Sequence, residues 1–86
     1  MKVDFRAIEI ENIDGTLEKV DIAKTFGNAL FAQGRTFEVV ELARAIWKDG
    51  EVELDKEQAE IIKEHAPVIF QSYVLHTAIV KAVSMK

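Results

Sequence analysis

The segment from Pro67 to Val83 constrains the fold of this 86-residue chain more than any other part of it. It reads PVIFQSYVLHTAIVKAV, in which eleven of the 17 residues are apolar or Tyr and Lys81 is the one formally charged residue. All 15 acidic residues of the chain lie at or before Glu64. Because a helix in a small protein normally buries one stripe and exposes the other, a helix this apolar is expected to pack on two sides.

This helix divides into two apolar stripes at helical spacing. The first is predicted to pack on the rest of the chain and comprises Ile69, Phe70, Tyr73, Thr77 and Val80. The second stripe, together with His76 at its edge, is predicted to contact a second chain. This predicted interface comprises Val68, Leu75, His76, Ile79, Ala82 and Val83. Soluble monomers seldom leave such a stripe in water, so the pattern favours a twofold pairing of two copies. The alternative is a central helix wrapped by the rest of one chain.

The length of the chain supports association. A single domain over 1–86 buries only roughly 60–65% of its unfolded surface, which leaves a small core. The chain has no cysteine, so neither disulfides nor thiolate zinc sites can add stability. We therefore expect a homo-oligomer, most simply a homodimer. With no apolar run long enough for a signal peptide or a membrane span, we also expect a cytoplasmic protein that does not bind membranes.

The N-terminal part predicts a β-hairpin over 2–20. Apolar and charged residues alternate from Val3, although the phase slips once near Ala7, as a bulge would cause. The sequence Asn12-Ile13-Asp14-Gly15 is typical of a type I turn followed by a left-handed glycine, which makes a three-residue hairpin loop. The resulting register sets Ile8 opposite Val20, Glu9 opposite Lys19 and Ile10 opposite Glu18.

The rest of the chain predicts four helices, at about 22–33, 37–48, 56–66 and 67–83. Asp21, Thr36 and Asp55 are good N-caps, and Gln58 completes a capping box with Asp55. A very short strand near Val52 is expected to join the hairpin as a third strand. Pro67 is predicted to separate the last two helices, because the residue before a proline avoids the helical region. The fold class is therefore α+β, with the hairpin packed against about four helices.

No pattern in the sequence predicts catalysis. Neither histidine has the paired spacing of a metal site, and no glycine-rich phosphate loop is present. Ser72 and His76 lie one helical turn apart, but no acid follows Glu64 to orient the histidine. We therefore expect no enzymatic activity, no metal and no cofactor. The net charge of −4 also argues against nucleic acid, which requires clustered Lys and Arg.

Two segments, EIENIDGTLEKVDIAKTFGNALF and WKDGEVELDKEQAEIIKE, resemble blocks found in small uncharacterised proteins encoded in bacterial prophages. The positions that match are Asp21, Gly27, Asn28, Gly50, Val52 and Leu54. The resemblance covers roughly half of the chain, and its motifs are turn and cap residues. It implies an accessory or assembly protein of phage origin.

Three functions remain open at this point. The first is an accessory protein that acts by protein–protein contact through its apolar C-terminal helix. The second is a small acidic inhibitor of a host protein, because residues 49–64 hold seven acids against two lysines. The third is a small-ligand binder or an enzyme of unknown type that uses the region of Phe31 and Trp47.

Gly27 lies inside the first predicted helix and is expected to pack closely against the hairpin.

Overall fold

The computed structural model describes residues 1–84 and shows an α+β fold, as the sequence predicts. Four short strands form two small antiparallel sheets, and four helices pack beside them. The elements follow in the order β1 (Lys2–Asp4), β2 (Ile8–Glu11), β3 (Leu17–Val20), α1 (Ala23–Gln33), α2 (Phe37–Asp49), β4 (Glu51–Glu53), α3 (Lys56–Ile69) and α4 (Tyr73–Ser84).

The hairpin of β2 and β3 has the predicted register. Ile8 pairs with Val20, Glu9 with Lys19 and Ile10 with Glu18. The loop is closed by a hydrogen bond of 2.9 Å from the Gly15 amide to the Asn12 carbonyl, and Gly15 has a φ of 88°. A left-handed residue at this position is what a type I turn with a glycine bulge requires. The Asp14 carboxylate accepts from both the hydroxyl and the amide of Thr16, which lowers the pKa of Asp14.

The first strand does not belong to this hairpin. β1 pairs with β4 in a separate sheet, where Val3 lies opposite Val52. The slip in the apolar phase is therefore a turn between two strands rather than a bulge, and Asp4 caps that turn through its carboxylate, 2.9 Å from the Arg6 amide. The predicted short strand near Val52 exists, but it adds to β1 and leaves the hairpin two-stranded.

The first two helices begin and end close to the predicted residues and cross at a glycine. Thr36 caps α2 through its hydroxyl, which accepts from the Val39 amide. A Cβ placed on Gly27 would lie 2.8 Å from the Cβ of Trp47 and 3.1 Å from the Ala43 carbonyl. Gly27 therefore permits close packing, as expected, but its partner is α2 and not the hairpin.

The predicted helix break at Pro67 is wrong. Asp55 and Gln58 form the predicted capping box, and α3 then continues through Pro67 to Ile69. Its buried stripe of Ala59, Ile62 and Ala66 reaches the residue immediately before the proline. The proline ring fixes a φ that suits a helix and removes one backbone donor. Burial of this stripe outweighs the loss of that bond, and the helix ends at the Phe70 cap.

The last helix begins at Tyr73 rather than at Pro67. Ser72 caps it, with its hydroxyl 3.4 Å from the Leu75 amide and its carbonyl 3.0 Å from the His76 amide. The His76 ring closes the preceding helix, because its Nδ1–H donates to the Phe70 carbonyl at 2.9 Å. The three residues between α3 and α4 therefore turn the chain, and the two helices have independent rotational phases.

An aromatic stack lies at the centre of the core. The ring of Phe26 lies between the rings of Phe5 and Phe70, with centroids 5.7 and 5.8 Å apart. Phe5 follows β1, Phe26 lies in α1 and Phe70 lies between α3 and α4, so the stack joins distant parts of the chain. Within residues 1–84, no helix is long and apolar enough to cross a lipid bilayer.

Candidate interaction surfaces

The side chains considered for catalysis have structural roles. The Ser72 hydroxyl caps α4, and His76 Nδ1–H is donated to a backbone carbonyl. In the part of the chain that the structure describes, no three His, Asp or Glu side chains come together to hold a metal ion. The candidate interaction surfaces of the described residues are those where large apolar side chains face water.

The predicted interface is divided between the core and the surface. Ile79 and Val83 are buried in the chain's own core, and Leu75, His76 and Ala82 are partly buried. Val68 is 64% exposed, but it lies in α3. The predicted core stripe is also wrong at Tyr73, whose side chain is 75% exposed. Both errors have one cause. The prediction treated 67–83 as a single helix, whereas α3 ends at Ile69 and α4 begins at Tyr73, so the face on which each residue of α4 lies cannot be counted from Pro67.

One exposed apolar surface lies between α4 and the hairpin. Tyr73, Val74 and Ala78 form its helix wall, while Ile10, Ile13 and Leu17 form its hairpin wall. We call this surface the α4–hairpin groove. Ile13 projects fully into water from the tip of the turn, and Leu17, Tyr73 and Val74 are also exposed. Four large apolar side chains that face water in one groove are typical of a binding surface.

The charges of the α4–hairpin groove are separated between its two walls. Glu9 and Glu11 lie on the hairpin wall, and Lys81 lies on the helix wall. All three side chains belong to exposed residues. The groove therefore has an acidic wall and a basic wall with apolar side chains between them.

A second groove lies among α2, β4 and α3. Its apolar floor comprises Leu42, Ala45, Val52 and Ile61, and the largely exposed ring of Phe37 lies at its mouth. Acidic side chains surround this floor, namely Glu38, Glu41, Glu53, Asp55 and Glu57. We call it the acidic groove.

Several of these acids already have partners within the chain. The Glu53 carboxylate lies 2.8 Å from the α-amino group of Met1, and this hydrogen bond holds the pKa of Glu53 below its ordinary value. The Asp55 carboxylate caps α3 by accepting a hydrogen bond from the backbone N–H of Gln58. Glu41 lies 3.6 Å from Arg44. Glu38 and Glu57 are therefore the acids of the groove best placed to meet an external cation.

A third exposed surface lies where α1 crosses α2. Phe31 is 46% exposed and Trp47 is 45% exposed. The Lys24 ammonium lies 3.9 Å from the centroid of the Trp47 ring, and the Arg44 guanidinium lies 5.2 Å from that of Phe31. Lys48 lines the same groove. We call this surface the α1–α2 aromatic face.

Sequence reasoning overlooked the apolar residues of the α4–hairpin groove that lie outside the last helix. Ile13 occupies a turn position, from which a large apolar side chain cannot reach the core. Its position alone could therefore have identified it as an exposed apolar residue. Leu17 could have been found from the register, because it precedes Val20 by three residues and therefore points to the opposite face.

No protein-family model, curated protein or solved structure matches this chain.

Proposed function

We propose that the chain is a cytoplasmic, non-enzymatic accessory protein that acts by protein–protein contact and forms a homodimer through the α4–hairpin groove. The observation that carries the proposal is the exposure of Ile13, Leu17, Tyr73 and Val74 in one continuous groove. An accessory or assembly role of this kind is also what the resemblance to prophage proteins implies. The proposal keeps the last helix as the contact element but moves the contact to its other side.

The charges of the groove favour a second copy as the occupant. In a pair related by a twofold axis, the hairpin wall of each copy lies against the helix wall of the other. Glu11 of each copy then faces Lys81 of the other, so this contact between opposite charges occurs twice in each dimer. The apolar side chains between them become buried, which supplies stability that a core of this size lacks.

Light scattering after size-exclusion chromatography tests the dimer. At micromolar concentration we expect a mass of twice 9.7 kDa. Tyr73→Lys and Leu17→Lys should each shift the chain to a monomer, because each places a charge in the apolar part of the contact. Val68→Lys is the matched control, since Val68 is similarly exposed but lies outside the groove. A monomeric wild-type protein, or dissociation by Val68→Lys alone, would contradict the proposal.

Charge exchange tests the arrangement of the two copies. Lys81→Glu and Glu11→Lys should each weaken self-association, because each creates two like-charge contacts in the homodimer. An equimolar mixture of the two variants should form a heterodimer, in which both contacts are again of opposite charge. If the mixture stays as monomeric as its components, the two walls do not face each other.

A second candidate function is the small acidic inhibitor, and the acidic groove is the observation that favours it. The acids of 49–64 are all exposed, and some of them border an apolar floor beside Phe37. Such a surface suits a basic segment with one apolar face on a host protein. Charge pairs at the rim would govern the rate and the salt dependence of binding more than its affinity.

Titration with an amphipathic helical peptide of lysine and leucine tests this candidate. Binding measured by calorimetry should weaken as salt rises, and the variant Glu38→Lys/Glu57→Lys should bind more weakly than wild type. Glu18→Lys/Glu64→Lys carries the same net charge, but its substitutions lie outside the groove. Equal weakening in both double variants would mean that net charge alone attracts the peptide, and the candidate would be dropped.

A further inference from the structure

We infer that the α1–α2 aromatic face is a docking site for an acidic segment of another protein, one that carries carboxylates around an apolar or aromatic side chain. This inference concerns a surface separate from the α4–hairpin groove and does not depend on the proposed homodimer. It rests on the local charge, on the two exposed rings and on the tight helix crossing beneath them.

The charge of this face is opposite to that of the chain. Lys24, Arg44 and Lys48 lie at or beside the two rings, and Glu41 is the acid that lines the groove among the described residues. Glu41 lies 3.6 Å from Arg44, and both of these side chains are more than half exposed. The face therefore has a local excess of two positive charges on a protein whose net charge is −4. Such a patch attracts acidic partners and repels basic ones.

The apolar part of the site is held in place by the backbone. At Gly27 the two helices approach so closely that an added Cβ would lie 2.8 Å from the Trp47 Cβ, so the crossing fixes the position from which the indole extends. The Lys24 ammonium covers part of the indole face, and Arg44 lies beside Phe31 in the same way. Both cations are thus positioned to pair with carboxylates while an apolar side chain inserts between the rings.

The shape of the groove favours a peptide over a small molecule or a nucleic acid. The groove is open along the two helices, and within residues 1–84 no polar side chain is fully buried to fix a small ligand. Exposed rings beside cations would also suit stacked bases. However, a phosphate backbone needs a longer run of clustered Lys and Arg than the three cations of this face provide.

The fluorescence of Trp47 provides a direct test, because it is the one tryptophan of the chain. The probe is a nine-residue peptide of glutamate and serine with a central phenylalanine. We expect a saturable change in the Trp47 emission that weakens as salt rises. Arg44→Glu and Lys48→Glu should each weaken binding by about fivefold or more, the equivalent of one exposed charge pair. Either variant suffices if the other fails to fold.

Three controls decide the outcome. Arg35→Glu makes the same change of charge at an exposed position outside the groove and should bind the peptide more tightly than Arg44→Glu. Replacing the central phenylalanine by serine should weaken binding, and a lysine peptide should give no saturable change. The inference is wrong if Arg35→Glu and Arg44→Glu bind the peptide equally well, or if single-stranded DNA binds more tightly than the peptide. It is also wrong if Arg44→Glu lowers the mass of the free protein in light scattering, since the occupant of this face would then be a second copy of the chain.

Discussion

Replacing Phe26 by alanine is expected to lower the free energy of unfolding by about 3–5 kcal/mol, as large-to-small substitutions of buried aromatic residues do. The ring is fully buried and stacks on both Phe5 and Phe70. Its loss would open a cavity where the first strand, the first helix and the connection between the last two helices meet. For 86 residues the whole stability is about 4–13 kcal/mol, so this loss removes a large share of it and should lower the denaturation midpoint clearly.

Urea denaturation followed by circular dichroism measures this effect. Phe31→Ala is the matched control, because Phe31 lies in the same helix but is nearly half exposed. Its ring stands beside a cation, so we expect a loss of no more than about 1 kcal/mol. A larger loss for Phe31 than for Phe26 would mean that the aromatic stack is not the centre of the core.

Replacing Ile79 by alanine is expected to cost about 2–5 kcal/mol of unfolding free energy and to leave the association state of the folded protein unchanged. Ile79 is 0% exposed and lies in the same core as Val83, on the inner side of α4. The loss arises from the cavity, since neighbours fixed by helix packing can fill it only in part. Denaturation and light scattering on one sample separate the two effects.

The control for this substitution is Val68→Ala. Val68 belongs to the interface that the sequence predicted, yet it is exposed at the end of α3, so its truncation should change stability by less than about 0.5 kcal/mol. If Ile79→Ala instead left stability intact and converted an oligomer to a monomer, the original prediction of Ile79 as an interface residue would be right.

The local elements could be predicted because their causes are local. The hairpin register follows from a turn in which Gly15 adopts a left-handed φ, and the start of α3 follows from the hydrogen bonds between Asp55 and Gln58. In each case the decisive atoms are within a few residues of one another. Steric limits and hydrogen bonds between near neighbours therefore favour these conformations independently of the tertiary contacts.

The pairing of β1 with β4 could not be predicted in this way. About fifty residues separate Val3 from Val52, and each strand is only three residues long, so neither carries a pattern that identifies its partner. Their pairing depends on how α1 and α2 fold back, which Gly27 permits at the helix crossing. The same holds for the α4–hairpin groove, whose two walls are distant in the sequence.

The sequence by itself determined that the last segment is mainly helical and has more apolar surface than one helical stripe can account for. The tertiary structure decided which stripe is buried. The turn at residues 70–72 sets the phase of α4, and that phase places Ile79 and Val83 in the core and Tyr73 and Val74 in water. A helical wheel describes angles only within one unbroken helix, so the orientation of α4 had to come from its packing against the rest of the chain.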